Sequence, residues 1–388
     1  MKFDAQRAYQ HIVQLAVPRA VGSEGEAKAR AYIVAQLSEI GLRVEEESFH
    51  FTHFPAEVLP RLIFAGVTVA VLIACWGAVS HPLLSFLLCD GVLVGIFALT
   101  RWRRSLERLY NIGKKHTSKN IIATRNATDA ASFELVFVAH YDSKSQLLPI
   151  AVRALCYGLA LVLLMVLGVL ISVPLFLPVE LPEVLIWVVG GCVCFCLMLL
   201  QFNFTRNRSP GAFDNASGVG VFLELARCLT VQVPPDKIRL AFLSTGAEEY
   251  GMCGALRYIQ QHADRHSPKR TFVINIDGVG AVGDIVLITR YGIPPVVTSR
   301  RLGEAIRECG AQIGIDAKDV YFPVGVGYDG IPIASRGFET VTLSAGGFDK
   351  AALKIHSKND GLELIDLASL QRVGDLIVRF VMQSAVRP

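Results

Sequence analysis

The chain has 388 residues, of which 52% are hydrophobic, and its 38 Lys and Arg against 34 Asp and Glu give a net charge of +4. A mean hydropathy of +0.44 is too high for an ordinary soluble protein, yet long stretches are polar and turn-rich, which indicates a globular domain that carries membrane segments. The small, dispersed charge excludes nucleic-acid binding through a basic surface.

The first forty residues predict two amphipathic helices joined at Pro18 to Ser23. Ser23 and Glu26 fit a capping box at the start of the second helix. A strand is predicted from Val44 to Phe51. Because the N-terminus has no apolar core, the sequence predicts no secretory signal peptide.

Four apolar stretches follow in two pairs. The first pair is Leu62–Val79 and Leu83–Thr100, and the second is Leu155–Phe176 and Val184–Phe202. Each is close to the ~20 residues that cross a bilayer, and the only charge is Asp90, which would have to face another helix or water. We predict two transmembrane hairpins, because stretches this long are hard to bury as core helices in a domain of this size.

Basic residues lie beside the hairpins on one side only. Those nearest are Arg101, Arg103 and Arg104 after the first pair and Arg153, Arg206 and Arg208 around the second. The short loops at the far ends carry no Lys or Arg. By the positive-inside rule, the sequence predicts a multi-pass protein of the inner or plasma membrane whose globular part is cytoplasmic.

The rest of the chain predicts one α/β domain. Residues 1–56, 111–148 and 205–388 would form it, and the inserts would span 57–110 and 149–204. Apolar runs predict buried strands at 135–139, 240–243, 272–276, 285–288 and 338–343. Helical patterns alternate with several of them, which predicts a mostly parallel sheet covered by helices on both faces.

Ionisable residues follow these predicted strands, where ligands gather in open α/β sheets. They are His140 and Asp142 after the first run, Glu248 and Glu249 after the second, and Asp277 after the third. Asp214 precedes a predicted helix, and His356 lies in a loop.

Each of these residues has an ordinary structural alternative, such as a core histidine, a helix cap, a turn aspartate or a solvated glutamate pair. Together they would crowd several carboxylates at one edge of a sheet, and burying carboxylates without partners is costly. A pair of divalent metal ions would remove that cost.

Six stretches resemble the motifs of the co-catalytic zinc aminopeptidases of clan MH, a group that includes glutamate carboxypeptidases and glutaminyl cyclases. In chain order they are Gly22 to Gly25, Ala139 to Ser143, Gly211 to Gly218, Glu248 to Gly254, Asn275 to Asp277, and Ile355-His356. The resemblance covers nearly everything outside the hairpins. It implies a three-layer α/β/α zinc-peptidase fold with four inserted transmembrane helices.

The resemblance also implies a role for each residue. His140 and Asp277 would bind one zinc ion, Glu249 and His356 a second, and Asp214 would bridge the two. Glu248 would be the general base, and Asp142 would hold His140 in its tautomer. The implied reaction hydrolyses an N-terminal peptide bond, with a zinc-activated water whose proton Glu248 passes to the departing amine.

The presence of both His140 and Asp277 argues against the glutaminyl cyclases, which in that family hold a single zinc through the equivalents of Asp214, Glu249 and His356. Two alternatives stay open. One is a non-catalytic membrane scaffold of the same fold, and the other is an amide hydrolase of small molecules or lipopeptides.

The chain departs from the family in two places. Where the family often has Ser-Asp-His, this chain has Tyr328-Asp329-Gly330. Tyr328 and Asp329 are the predicted substrate contacts. The second hairpin lies between His140 and Asp214, which must meet at the metals. This placement predicts a site near the bilayer surface and membrane-associated peptide substrates.

Overall fold

The computed structural model describes residues 2–101, 103–125, 131–179, 182–292, 294–323, 327–346 and 351–386. The chain forms two compact units. The first holds the chain up to Thr52, then Gly113–Ser145 and the chain from Arg206 onward. The second holds His53–Ile112 and Gln146–Thr205.

The strands of the chain belong mostly to the first unit. They are β1 (Arg43–Thr52), β2 (Lys115–Thr124), β3 (Phe133–His140), β4 (Ser145–Gln146), β5 (Thr205–Arg206), β6 (Ile238–Thr245), β7 (Thr271–Ile276), β8 (Ile285–Tyr291), β9 (Val296–Val297), β10 (Ala317–Phe322) and β11 (Glu339–Ala345).

The helices, in chain order, complete the two units. They are α1 (Ala5–Leu15), α2 (Glu24–Glu39), α3 (Leu59–Gly77), α4 (Pro82–Arg101), α5 (Ile150–Phe176), α6 (Glu183–Gln201), α7 (Ser217–Gln232), α8 (Cys253–His262), α9 (Arg301–Ala311), α10 (Gly330–Ala334) and α11 (Leu367–Val386). The predicted capping box at α2 is present in part: Ser23 accepts from the Glu26 amide, but the Glu26 carboxylate accepts from the Gly22 amide and not from that of Ser23.

The central sheet has the order β1-β2-β6-β3-β7-β11-β8-β10, with β9 beside β8. Its middle strands β6, β3, β7 and β11 run parallel. β1, β2 and β6 pair antiparallel, as do β11 and β8. The prediction of a mostly parallel sheet is therefore wrong at the flanks: the sheet is mixed, because strand direction follows from the connections and not from the apolar runs.

Helices cover both faces of this sheet, as predicted. Side chains of β3 alternate between two apolar cores: Leu135 and Phe137 join the core with α1, α2, α7, α9 and α11. Val136 and Val138 join the core with α8 and α10. Four of these predicted strands lie within β3, β6, β7 and β8, and the fifth, 338–343, overlaps β11 but begins one residue before it.

The second unit is a bundle of α3, α4, α5 and α6 around an apolar core of its own. Gly190 of α6 allows close packing, since a Cβ there would collide with the Cys75 sulfur of α3. The outward faces are apolar too, with Trp76 at 75% and Phe176 at 80% exposure. Helices that are apolar on all sides are typical of membrane spans.

Among the described residues, three helices are long and apolar enough to cross a membrane: Phe54–Gly77, Ile150–Phe176 and Glu183–Gln201. The sequence predicts four. The remaining stretch lies in α4, of which the apolar part with described side chains, Pro82–Ile96, is too short for the same criterion. The side chains of Arg101, Arg103 and Arg104 lie outside the description. Asp90 is exposed on the bundle, so no helix of the described chain covers it.

Candidate metal centre

Three neighbouring parallel strands deliver the first ligand candidates to one edge of the sheet. β3 ends at His140, and β7 ends one residue before Asp277. β6 ends at Thr245, and a single 3₁₀ turn, Glu248–Tyr250, begins after two intervening residues. The carboxyl ends of adjacent parallel strands meet, so these side chains converge although they lie far apart in the sequence.

The remaining candidates, Asp214 and His356, come from loops. Asp214 lies in the irregular turn Ala212–Ala216 just before α7, and its peptide bond to Asn215 is cis. His356 has a φ of 58°, which is uncommon for a residue other than glycine. Both loops bring their side chains to the edge where β3, β6 and β7 end.

Two groups of possible ligands share the Asp214 carboxylate. His140, Asp214 and Asp277 form one, and Asp214, Glu249 and His356 form the other, each with its donor atoms within 4.8 Å of one another. Asp214 Oδ1 lies 3.2 Å from His140 Nε2, and Oδ2 lies 3.2 Å from His356 Nε2. His356 Nε2 is 3.0 Å from Glu249 Oε2, and His140 Nε2 is 3.7 Å from Asp277 Oδ1.

The donor set fits zinc. Imidazole nitrogens and carboxylate oxygens in groups of three leave a position for water or substrate. His140, Glu249 and Asp277 are buried. The carboxylates at this edge of the sheet outnumber the histidines that face them. Buried acids in such excess are stabilised by a divalent cation.

Asp142 contacts both the first histidine and the glutamate pair. Its backbone carbonyl lies 3.2 Å from His140 Nδ1, and its carboxylate Oδ1 lies 3.6 Å from the same nitrogen. The carboxylate also accepts hydrogen bonds from the backbone amides of Glu248 at 3.1 Å and Glu249 at 3.2 Å. Its predicted role at His140 remains a prediction, and the contact with the glutamate turn is an addition.

The two adjacent glutamates differ in their surroundings. Glu249 belongs to a ligand group, whereas Glu248 belongs to neither, and its Oε2 lies 4.0 Å from His140 Nε2. Burial, together with the charges of Asp329 and Glu249, raises the pKa of Glu248 well above its usual value against the opposing charge of His140. Burial would also raise the pKa of Glu249, but the charges of His356 and Lys144 outweigh burial and lower it.

The two predicted substrate contacts are placed differently. Tyr328 is half-buried with its ring against Phe322. Burial and the nearby acids, Asp277 first, raise the pKa of Tyr328, so its hydroxyl stays a donor. Asp329 is fully buried and accepts from the Thr245 hydroxyl. Burial raises the pKa of Asp329 to about 7, and its position behind the strand ends gives no support to direct substrate contact.

Sequence reasoning missed two residues that contact the ligands. Lys144 Nζ lies 3.0 Å from Glu249 Oε2, and the only sequence signal was its place after the His140 motif. Asp360 is fully buried and accepts from the backbone amides of Phe213 at 2.7 Å and Asp214 at 3.2 Å. Its signal was the spacing of four residues after His356.

A third missed residue, Arg19, joins the segments on either side of the second insert. Its guanidinium is fully buried and donates to the carbonyls of Tyr141 at 2.8 Å, Pro210 at 2.5 Å and Gly211 at 3.0 Å. Its amide donates to the Ser143 hydroxyl. Arg19 thereby ties the His140 segment to the turn that carries Asp214.

The family model of peptidase family M28 matches residues 187–381, half of the chain. The chain belongs to peptidase family M28. This M28 chain is 29% identical over 182 residues to aminopeptidase YwaD of Bacillus subtilis, an alignment of 45% of the chain and 38% of that relative. It is 30% identical over 181 residues to an aminopeptidase of Pseudomonas aeruginosa, which covers 42% and 33%. The chain thus spans less than two fifths of these relatives.

Solved structures share the M28 fold over nearly the whole chain. The aminopeptidase from Aneurinibacillus sp. strain AM-1 has a TM-score of 0.59 at 17% identity, over 99% of this chain and 94% of that one. BSAP, a zinc aminopeptidase from Bacillus subtilis, has a TM-score of 0.56 at 17% identity, over 98% and 95%. Porphyromonas gingivalis glutaminyl cyclase has 0.57 at 16% identity, over 98% of both chains. At these identities the likeness shows the fold alone.

Proposed function

We propose that this M28 protein is a dinuclear zinc aminopeptidase. The observation that carries the proposal is the Asp214 carboxylate, whose two oxygens each face a different histidine and which belongs to both ligand groups. A carboxylate shared in this way suits a bridge between two ions. His140 and Asp277 would hold one zinc ion, and Glu249 and His356 the other.

Bound zinc would supply a Lewis acid for the scissile carbonyl and acidify a water. The chain supplies the proton transfer. Glu248 lies outside both ligand groups yet close to His140, so we assign it the proton of the attacking water and its delivery to the departing amine. Asp142 positions Glu248 by accepting a hydrogen bond from its backbone amide. Tyr328 is the hydroxyl donor proposed to contact the substrate.

An aminopeptidase accounts for the chain better than a glutaminyl cyclase or a scaffold. The curated relatives with the alignments described above are named aminopeptidases, and a likeness of fold to glutaminyl cyclases does not separate the two activities. The group of His140, Asp214 and Asp277 offers a second ion a full set of ligands, which a single-zinc cyclase or a metal-free scaffold does not need.

The test combines metal analysis with a peptide panel. Zinc per chain is measured in the detergent-purified full-length protein, and hydrolysis is followed on peptides with a free N-terminus and on their N-acetylated counterparts. Close to two zinc ions and cleavage of only the free-amine peptides support the proposal. One zinc points to a cyclase, no zinc to a scaffold, and two zinc ions without peptide cleavage to a small-amide hydrolase.

We further propose that the second unit crosses the membrane as two hairpins, α3 with α4 and α5 with α6, with the catalytic unit in the cytoplasm. Three long apolar helices and the basic flanks support this topology. The test is a pair of C-terminal fusions: a fluorescent protein that matures in the cytoplasm should be bright, and a phosphatase that works only across the membrane should be inactive. The reverse result contradicts the orientation.

The substrates proposed are peptides held at the membrane surface. The support is the chain path: the chain enters the second unit at Gln146, four residues after Asp142, and leaves it at Thr205, nine residues before Asp214. We expect the enzyme in liposomes to cleave a lipid-anchored peptide more efficiently than the same peptide without the anchor. Equal kcat/KM for the two would remove the support for membrane-held substrates.

A further inference from the structure

Arg19 is a fully buried arginine whose guanidinium group is held by the backbone. All three of its nitrogens donate hydrogen bonds, and the acceptors are the carbonyls of Leu15, Val17, Tyr141, Pro210 and Gly211. The planar fork of five N–H donors in arginine suits such a set of acceptors. One side chain therefore joins its own segment to two others, which lie 122 and 191 positions away.

Both distant segments carry proposed zinc ligands. Tyr141 directly follows His140, and its carbonyl oxygen lies 2.8 Å from Arg19 Nε. Gly211 precedes the turn that carries Asp214, and its carbonyl oxygen lies 3.0 Å from Arg19 Nη2. A Cβ at Gly211 would itself lie only 3.0 Å from that nitrogen, so the guanidinium packs directly against the backbone of this turn. The separation of the two ligand segments thus depends on Arg19.

The main chain of Arg19 adds further bonds between the same segments. Its amide donates to the Ser143 hydroxyl at 3.1 Å, and its carbonyl accepts from the Ser143 amide at 3.2 Å. The Ser143 hydroxyl donates in turn to the carbonyl of Ser209 at 3.3 Å. The chain leaves the first unit after Ser145 and returns to it at Arg206. These bonds therefore join the chain on either side of its path through the second unit.

Arg19 also brings a positive charge close to the acid-rich end of the sheet. Burial lowers the pKa of Arg19 to about 10, and the negative charges of nearby acids, Asp360 first, oppose that shift. The other acids are Asp142, Asp214 and Glu249. The guanidinium stays protonated at neutral pH and attracts these carboxylates, yet its hydrogen bonds go to carbonyls. It can therefore balance part of their charge and leave their oxygens to a metal ion.

We propose that Arg19 is a positioning residue for both zinc ions. It acts through the backbone, by holding the segment of His140 against the turn of Asp214. Because His140 belongs to one ligand group and Asp214 to both, a change in their separation alters the donors of each ion. This inference rests on the proposed dinuclear site. It adds that an arginine placed before both inserts determines how tightly the centre binds metal.

The experiment measures both zinc dissociation constants by titrating the metal-free full-length protein in detergent against a chromophoric chelator. Arg19→Lys keeps the charge but lacks the planar fork, and Arg19→Ala removes both. We expect both constants to rise by about 10- to 100-fold in Arg19→Ala, the range for residues that support metal ligands, and by a smaller factor in Arg19→Lys. The titrations are made well below the thermal midpoint of each variant, so that a loss of stability alone does not change the constants.

Arg125 provides the matched control, because its guanidinium also donates to backbone carbonyls. The acceptors include Thr230 at 3.2 Å and Ile238 at 2.9 Å. Ile238 begins β6, whereas the glutamate pair follows the other end of that strand. Arg125→Ala should therefore lower the thermal midpoint and leave both zinc constants unchanged. An equal loss of zinc affinity in Arg125→Ala would overturn a role specific to Arg19.

Chemical rescue tests whether the guanidinium group itself is required. Arg19→Ala leaves a space lined by carbonyls that free guanidinium can occupy, whereas Arg19→Met fills this space without a donor. We expect millimolar guanidinium, far below the molar concentrations that unfold proteins, to restore zinc affinity in Arg19→Ala but not in Arg19→Met. The same concentration of sodium chloride should restore neither. Equal rescue of the two variants would overturn the role of the guanidinium.

The outcomes separate this inference from the proposed function. A wild-type protein that binds no zinc or a single ion overturns the dinuclear site, and the inference with it. Two ions in the wild type, with unchanged constants in folded Arg19→Ala and Arg19→Lys, overturn the role of Arg19 alone. If no Arg19 variant folds, as judged by circular dichroism, while Arg125→Ala does, Arg19 serves the fold and not the metal centre, and the inference is likewise overturned.

Discussion

The two ends of strand β3 carry acids and histidines in different proportions. At its beginning, Glu134 accepts from His266 Nδ1 at 2.7 Å, and on β1, at the edge of the same sheet, Glu47 pairs with His262 at 2.8 Å. Each carboxylate there has an imidazole of its own. At the other end, His140 meets several carboxylates at once.

This difference shows which end requires a cation. Acids and histidines in equal number neutralise one another within the protein. Acids in excess do not, even though Asp142 and Asp360 are occupied by backbone amides. A buried His–Glu pair by itself therefore indicates nothing about metals, whereas the excess of buried carboxylates does.

The sharpest test of the comparison is the same substitution at both ends of the strand. Glu248→Gln keeps the size of the side chain and both ligand groups but removes the proposed base. We expect kcat to fall by about 10²- to 10⁴-fold with two zinc ions retained, measured by peptide hydrolysis and elemental analysis.

Glu134→Gln is the matched control and should keep both activity and zinc. Loss of zinc in Glu248→Gln would mean that Glu248 is a ligand and that the roles of the adjacent glutamates are exchanged.

Zinc itself should stabilise only through the acid-rich end. At a free zinc concentration one hundred times Kd, binding to the folded state adds about 2.7 kcal/mol for each site, so the thermal midpoint should rise by several degrees relative to protein in a chelator. Asp214→Asn alters the shared ligand and should abolish most of that rise. A rise of equal size in Asp214→Asn would place the stabilising zinc elsewhere.

The sequence was sufficient to predict residues whose signal is local. His140, Glu249 and Asp277 follow apolar runs, and a chain that alternates strands and helices brings the carboxyl ends of parallel strands together. The structure places these residues, with Asp214 and His356, in two adjoining groups. Their assignment as zinc ligands remains a prediction.

Features that depend on contacts distant in sequence were not predictable. Asp360 meets the amide of Asp214 across 146 positions, and Lys144 meets Glu249 across 105. No periodicity reports such pairs. The antiparallel flanks of the sheet were missed for a related reason, since an apolar run looks the same in either direction.

Asp360 allows the support of the Asp214 turn at the acid-rich end to be tested without changing a proposed ligand. Asp360→Asn replaces one of the two acceptor oxygens by a donor, so the amide of Phe213 or Asp214 loses its partner. We expect zinc affinity to fall by about 10- to 100-fold, because Asp214 belongs to both groups. Competition with a chelator measures it.

The control is Asp366→Asn, which changes an aspartate that accepts the Ser369 amide at 2.7 Å at the start of α11. Asparagine caps helices about as well as aspartate, so zinc affinity should not change. Unaltered affinity in Asp360→Asn would show that the turn around Asp214 holds its shape without this carboxylate.

The smallest expected effect lies at the balanced end and concerns pH. Burial would raise the pKa of Glu134, but the hydrogen bond and charge of His266, with a hydrogen bond from Thr271, outweigh burial and lower it. A lowered folded pKa means that the ionised carboxylate stabilises the protein above the unfolded pKa, and that this contribution is lost as the pH falls through the folded value.

Glu134→Gln should therefore lower the free energy of unfolding at pH 7 by about 1–2 kcal/mol. The difference from wild type should shrink as the pH falls below the ordinary glutamate pKa of 4.5. Thermal midpoints between pH 7 and pH 3 measure it, with Glu45→Gln as the control because its pair with Arg43 is exposed and such pairs contribute little. A difference in stability that stays constant over this range would mean that Glu134 is not held ionised by His266. The beginning of β3 would then not be an end at which acids and histidines neutralise one another, and the comparison of the two ends would fail.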